Sequence, residues 1–215
     1  MLLACWSSKG GAGTTVVAAA LALIAGARGG GGALLVDLGG DLPAVLGQPE
    51  PESPGLAGWL AAGADVPDGA LGRLEVPVAP SVALLPRGSA PLASERGGAL
   101  AAALAADPRT VVVDCGTAPA GAATAVALAA ERSVLVTRAC FLSLRRAMTS
   151  EVRPTEVVLV AEPGRALTRH DVGAALGAPV TAVVEVDPGV ARAVDAGLLS
   201  GRLPRGLVRE LRDVG

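Results

Sequence analysis

The stretch LLACWSSKGGAGTTVVAAALALIAGA, residues 2–27, decides the fold. An apolar run from Leu2 to Ser7 is a buried strand. It enters a glycine loop, KGGAGTT (9–15), and the loop opens an uncharged, alanine-rich helix over 15–27. Strand, glycine loop and helix in that order form a phosphate-binding element. The glycines let backbone N–H groups crowd around phosphate oxygens, and the helix start adds partial positive charge and unpaired donors. A hydroxyl at Thr15, in the first helical turn, is placed to ligate Mg²⁺. Lys9 at the mouth of this loop is the single lysine of the chain.

Working outward, apolar strands alternate with helices to the end of the chain. Strands are predicted at 33–37, 82–86, 110–114, 133–137, 156–161 and 179–186. Helices are predicted at 92–106, 119–130 (Pro119 in the first turn), 142–151, 170–176, 190–196 and 205–214. Continuous apolar strands between helices predict an α/β fold, a mostly parallel sheet covered by helices on both faces. The segment 43–77, richer in Pro, Gly and acids, is expected to hold a short helix around Trp59 and to lie over the ligand edge. A covered strand pair is expected in 73–88. With no internal repeat or linker, 1–215 reads as one domain. Asp37 and Asp114 each end an apolar strand at a carboxyl edge, where ligands of such folds sit. Beside a phosphate loop they read as a metal pair.

The 215 residues are 51% hydrophobic and 18% charged, and Ala and Gly make up roughly a third of them. The net charge of −2 supplies no field that would draw the chain to nucleic acid or anionic lipid. Trp6, Trp59 and Phe141 are the only aromatics, which argues against base-stacking platforms. Cys5, Cys115 and Cys140 are too scattered for a zinc site or a disulfide framework and read as reduced, buried thiols. No targeting segment or membrane-length apolar run is present, and the placement is cytoplasmic. Leu207, Val208, Leu211 and Val214 share one face of the last helix, whose mixed charges favour core packing over membrane binding. Arg138, Arg145, Arg146 and Arg153 read as a solvated face, and the lone His170 as a surface or capping residue.

The loop resembles the deviant Walker A motif, KGGxGK[ST], of the ParA/MinD family of P-loop NTPases (the SIMIBI class). Lys9, Gly10, Gly11, Gly13 and Thr15 match it, and Thr14 stands where the usual P-loop lysine would. LLVDLGGDLPAVLG (34–47) resembles the family's second strand and switch, VVVDCG (111–116) its Walker B strand, and DPGVARAVDAG (187–197) a D-x-x-V-x-x-A-x-x-x-G segment. GGxG followed by a small residue and Ser or Thr resembles the TadZ/CpaE proteins of Tad/Flp pilus assembly. Their receiver-like domain is expected to be absent here or on a separate chain.

The resemblance implies ATP and Mg²⁺ as cofactors. Lys9, Gly10, Gly11, Ala12, Gly13, Thr14 and Thr15 would hold the nucleotide, and Thr15, Asp37 and Asp114 the metal. Lys9 and Asp41 are the catalytic candidates, Lys9 acting in its own subunit or across a dimer. Asp41 would stand in for the family's second switch carboxylate, which falls at Gly39. The adenine-reading asparagine has no counterpart at Ala161-Glu162, and Glu185 replaces the adenine-loop proline. The implied function is an ATP-binding homodimeric switch with weak or absent hydrolysis that localises pilus or other polar assembly proteins. Recruitment to the cell pole or the inner membrane face would be peripheral or indirect. The alternatives are a pseudo-ATPase scaffold and a ParA/MinD ATPase that positions DNA or division proteins.

Overall fold

The computed structural model describes residues 1–63, 66–67 and 69–214. Ala64, Asp65 and Asp68 of the 43–77 segment, and Gly215, lie outside the described residues. Strands β1 (Leu2–Ser7), β2 (Ala33–Asp37), β3 (Val76–Ala79), β4 (Val82–Leu85), β5 (Thr110–Thr117), β6 (Arg132–Arg138), β7 (Glu156–Ala161) and β8 (Val180–Glu185) build one sheet. Its order is β3-β4-β2-β5-β1-β6-β7-β8, with every pair parallel except the β3–β4 hairpin. Parallel neighbours require crossovers, and the helices α1 (Thr14–Ala27), α2 (Leu42–Val45), α3 (Gly55–Ala61), α4 (Gly97–Ala105), α5 (Ala122–Ala129), α6 (Phe141–Met148), α7 (Arg169–Leu176), α8 (Pro188–Asp195) and α9 (Arg205–Leu211) lie along them.

The period-two alternation of each strand sorts the core into two layers. Leu2, Ala4 and Trp6 of β1 face α3 to α7, while Leu3 and Cys5 face α1, α2, α8 and α9. Trp6 is fully buried, and its indole N–H donates to Ser133 Oγ at 3.0 Å, so its one polar group is satisfied. Leu207, Leu211 and Val214 are buried in the second layer, as the mixed charge of the last helix predicts.

Several boundaries differ from expectation. α4 starts at Gly97 rather than 92, and α5 at Ala122 rather than 119. Gly121 adopts φ 57, which breaks the chain direction before α5, and Pro119 offers its carbonyl to the Thr124 hydroxyl from outside the helix. The strand pair of 73–88 forms, but β3 is the sheet's edge and Val76 and Pro77 are exposed. Proline at an edge costs no ladder bond and blocks further pairing. The 43–77 segment divides: α2 covers the ligand edge, whereas α3 crosses to the opposite face and buries Leu56 and Leu60. Cys5 and Cys115 are buried, but Cys140 is half-buried at the start of α6. Amide hydrogen bonds from Leu142 and Ser143 hold its thiol below the usual range. Arg145, Arg146 and Arg153 are exposed, and Arg138 pairs with Glu162. His170 is exposed in α7, whose cap is a Thr168–Asp171 capping box. Among the described residues, no helix is long and apolar enough to cross a membrane.

Candidate functional site

At the carboxyl end of β1 the chain turns through Gly11 (φ 75) and Gly13 (φ 90) into α1. Gly13 is the N-cap residue in left-handed geometry, which a side chain would strain. Val17 N–H already reaches Gly13 O, so the amides of Thr14, Thr15 and Val16 are the helix's unpaired donors. No side chain caps them. A Cβ at Gly10, Gly11 or Gly13 would meet nothing within 4 Å, so the loop borders open space.

That space is a cavity of about 830 Å³. Gly11, Ala12, Gly13, Thr14 and Thr15 line one side, and Gly39, Asp41, Ala44 and Val45 another. Val16, Gly116, Thr117, Val194 and Asp195 complete it. Lys9 and Gly10 are exposed and lie outside this lining, and no lining residue is cationic. Lys9 has no ion-pair partner among the described residues.

Asp37 and Asp114 are register partners on β2 and β5 and are 1% and 0% exposed. Neither lines the cavity itself, but Asp114 lies against Gly39 and Gly116 of the lining, and Asp37 binds Gly40 next to Gly39. Asp37 Oδ1 accepts from Gly40 N–H at 2.6 Å, and Asp114 Oδ1 from Gly116 N–H at 2.9 Å. The Oδ2 atom of each is buried and accepts no well-formed hydrogen bond. Burial pushes Asp37 up to about 7, opposed by the Gly40 amide, helped by the charge of Asp114, and further opposed by the Leu42 amide and the Arg87 charge. Burial also raises Asp114, while the Thr15 side chain and Gly116 amide hold it down and Asp41 raises it. Two buried carboxylates that each keep an unpaired oxygen are costly without a counter-charge.

These residues fit Mg²⁺ with a phosphate ligand. Mg²⁺ is usually held by one or two carboxylates, waters and substrate phosphates rather than by an all-protein cage. Accordingly, among the described residues no group of three or more His, Cys, Asp or Glu forms a self-sufficient metal site. Asp37, Asp114 and the Thr15 hydroxyl would be the protein donors to such an ion, and the loop amides would be free for the phosphate. Asp41 lines the cavity but makes no capping bond to α2.

Sequence reading missed the wall formed by α8. Segment 187–197 stands out by its spacing, but nothing in that spacing marks Asp195 as a lining residue. The Gly47 and Gly197 backbones bring it there, because a Cβ on Gly47 would lie 2.3 Å from Gly197 O. Ser200 Oγ donates to Leu46 O at 3.1 Å and closes the same junction.

No known protein-family model matches the chain, and no curated protein does. Solved structures do resemble it. A ParA family ATPase from Chlorobium tepidum TLS is 22% identical with a TM-score of 0.81, over 99% of this chain and 96% of that one. MinD from Pyrococcus horikoshii OT3, solved with Mg-ADP, is 20% identical with a TM-score of 0.78, over 97% and 91%. A McdA variant from Cyanothece, solved with ATP, is 17% identical with a TM-score of 0.70, over 100% and 96%. The fold is therefore the P-loop α/β fold of the ParA/MinD ATPases.

Proposed function

We propose that the chain is a nucleotide-binding switch over residues 1–215, taking ATP with Mg²⁺ and dimerising in response. The observation that carries this is the pair of buried strand-end carboxylates with unpartnered oxygens, set beside a glycine loop whose helix amides are also unpaired. The relatives in fold solved with Mg-ADP and with ATP support the same ligand class. When bound, Mg²⁺ would neutralise phosphate charge. Asp37, Asp114 and Thr15 would hold it, and residues 10–15 would donate to the phosphates.

Lys9 points the reading toward a dimer. It is exposed, has no ion-pair partner among the described residues and is absent from the lining of its own cavity. A charge so placed can serve a nucleotide held by a second copy. The cavity lining itself supplies acids and no cation, so charge stabilisation of phosphoryl transfer is poor. Weak or absent hydrolysis follows, with Asp41 as the nearest stand-in for a water-orienting carboxylate. The resemblance of GGAGTT to TadZ/CpaE supports pilus or other polar assembly proteins as cargo.

A second reading, a pseudo-ATPase scaffold, is favoured by Thr14 and by Gly39, where a side chain would meet Asp114 Oδ2 at 2.9 Å. ATP binding and mass in solution, measured with and without Mg²⁺, separate the two. The switch requires Mg²⁺–ATP to bind and to shift the chain to a dimer, and Lys9→Ala to abolish the shift while binding persists. A chain that neither binds ATP nor changes mass is the scaffold. Steady-state hydrolysis lost in Asp114→Ala would instead establish a working ATPase.

A further inference from the structure

One peptide group in the site is gripped at both ends. The carbonyl of Gly39 accepts from Arg87 Nη1 at 3.0 Å. The N–H of the same peptide, belonging to Gly40, donates to Asp37 Oδ1 at 2.6 Å. Arg87, the 39–40 peptide and the Asp37 carboxylate therefore form a continuous chain of charge-assisted hydrogen bonds.

Glycine on both sides makes this peptide easy to rotate. Gly40 sits at φ 103, where an L side chain would be strained, and a Cβ there would press on Arg87 Nη1 at 3.3 Å. Rotation would turn the carbonyl toward Asp37 and remove the amide that fixes Oδ1. The backbone of Arg87 is itself anchored. Its carbonyl accepts from Ala57 N–H at 2.8 Å, and the Pro86 carbonyl from Leu56 N–H at 2.9 Å, so the start of α3 holds the turn. At Gly88, a Cβ would lie 2.1 Å from Pro54 O, so the two segments cross with no room to slide. The guanidinium thus reaches the switch from a fixed base on the opposite face of the sheet.

We propose that Arg87 is a positioning residue for the metal site: it holds the Gly39–Gly40 peptide so that Gly40 N–H occupies Asp37 Oδ1 and leaves Oδ2 for the cation. This deepens the nucleotide–Mg²⁺ reading above and rests on it. Arg87 does not itself line the cavity; it acts on the site through the Gly39 carbonyl and through its charge near Asp37, and so is a positioning residue.

The test is the split between metal-dependent and metal-independent nucleotide binding, measured by calorimetry with Mg²⁺ and again with EDTA. In Arg87→Ala, Mg²⁺–ATP affinity should fall about tenfold, the scale of one hydrogen bond to a charged group, while affinity in EDTA stays within about twofold. Arg87→Lys, which keeps one charged donor, should recover part of the loss. In the ligand-free protein, Gly40 amide exchange should quicken about tenfold in Arg87→Ala and stay unchanged at Leu56. Unchanged Mg²⁺–ATP affinity in Arg87→Ala overturns the proposal. So does an equal loss with and without Mg²⁺, which would mark general damage to the fold. A wild-type chain that binds no Mg²⁺–ATP fails the nucleotide reading itself, and the proposal with it.

Discussion

Three carboxylates are buried in this sheet, at two different ends of it. Glu156 opens β7 and its side chain is 3% exposed. Arg132 pairs with it at 2.6 Å, and the Thr181 hydroxyl donates to it at 2.8 Å. Glu156 Oε1, like the Oδ2 atoms of Asp37 and Asp114, accepts no well-formed hydrogen bond, but it lies 2.6 Å from Arg132 Nε, whereas Asp37 and Asp114 end β2 and β5 equally buried with no ion pair among the described residues. The fold thus sets a cation in direct contact with the acid at the amino edge, whereas at the carboxyl edge Arg87 reaches Asp37 only at longer range and through the 39–40 peptide. A buried carboxylate that serves the structure carries its counter-charge with it. One kept for a ligand leaves that place open, and the ligand-free protein bears the cost.

The contrast can be broken from either side. Glu156→Ala, which strands Arg132, should destabilise the chain by about 3 kcal/mol, read by urea unfolding. Asp114→Ala should leave folding intact but weaken Mg²⁺–ATP binding by about a hundredfold or more, read by calorimetry.

Asp37→Asn should do the opposite of Glu156→Ala and stabilise the ligand-free chain. The folded carboxyl titrates at about 7 and the unfolded one near 3.8, so the unfolded chain loses its proton first. Wild-type stability therefore falls as pH rises from about 4 to about 7. The full shift corresponds to at most roughly 4 kcal/mol. Gly40, Arg87 and Asp114 share the site, and a gain of about 2 kcal/mol at pH 8, vanishing near pH 4, is expected from Asp37→Asn. Thermal unfolding at the two pH values checks this, and saturating Mg²⁺–ATP should reverse the order of the two proteins. Lys9→Ala, on an exposed charge, should change stability by less than about 0.5 kcal/mol and act only on the nucleotide-dependent mass.

Much of this arrangement was legible in the chain. KGGAGTT between an apolar run and a small-residue helix needs no tertiary contact to declare a phosphate loop. Asp37 and Asp114 were legible too, because each ends an apolar strand, and strand ends of parallel sheets converge on one edge. The helix starts at 97 and 122 were not. Their positions depend on a positive-φ Gly121 and on Ser94 and Pro119 carbonyls, which leave no periodic trace. Arg87 was one arginine among many until the turn at 86–88 was seen locked to α3.

By itself, the sequence determined the strand–loop–helix start, the mostly parallel character of the sheet and the identity of the two acids. These follow from local backbone preferences and from the period of hydrophobic burial, both written residue by residue. Only the tertiary structure decided which oxygens go unpaired, which side of the cavity α8 closes, and that Arg87 grips the 39–40 peptide. Those depend on distances between segments far apart in the chain. There, packing and the need to satisfy buried polar groups, rather than local propensity, set the geometry.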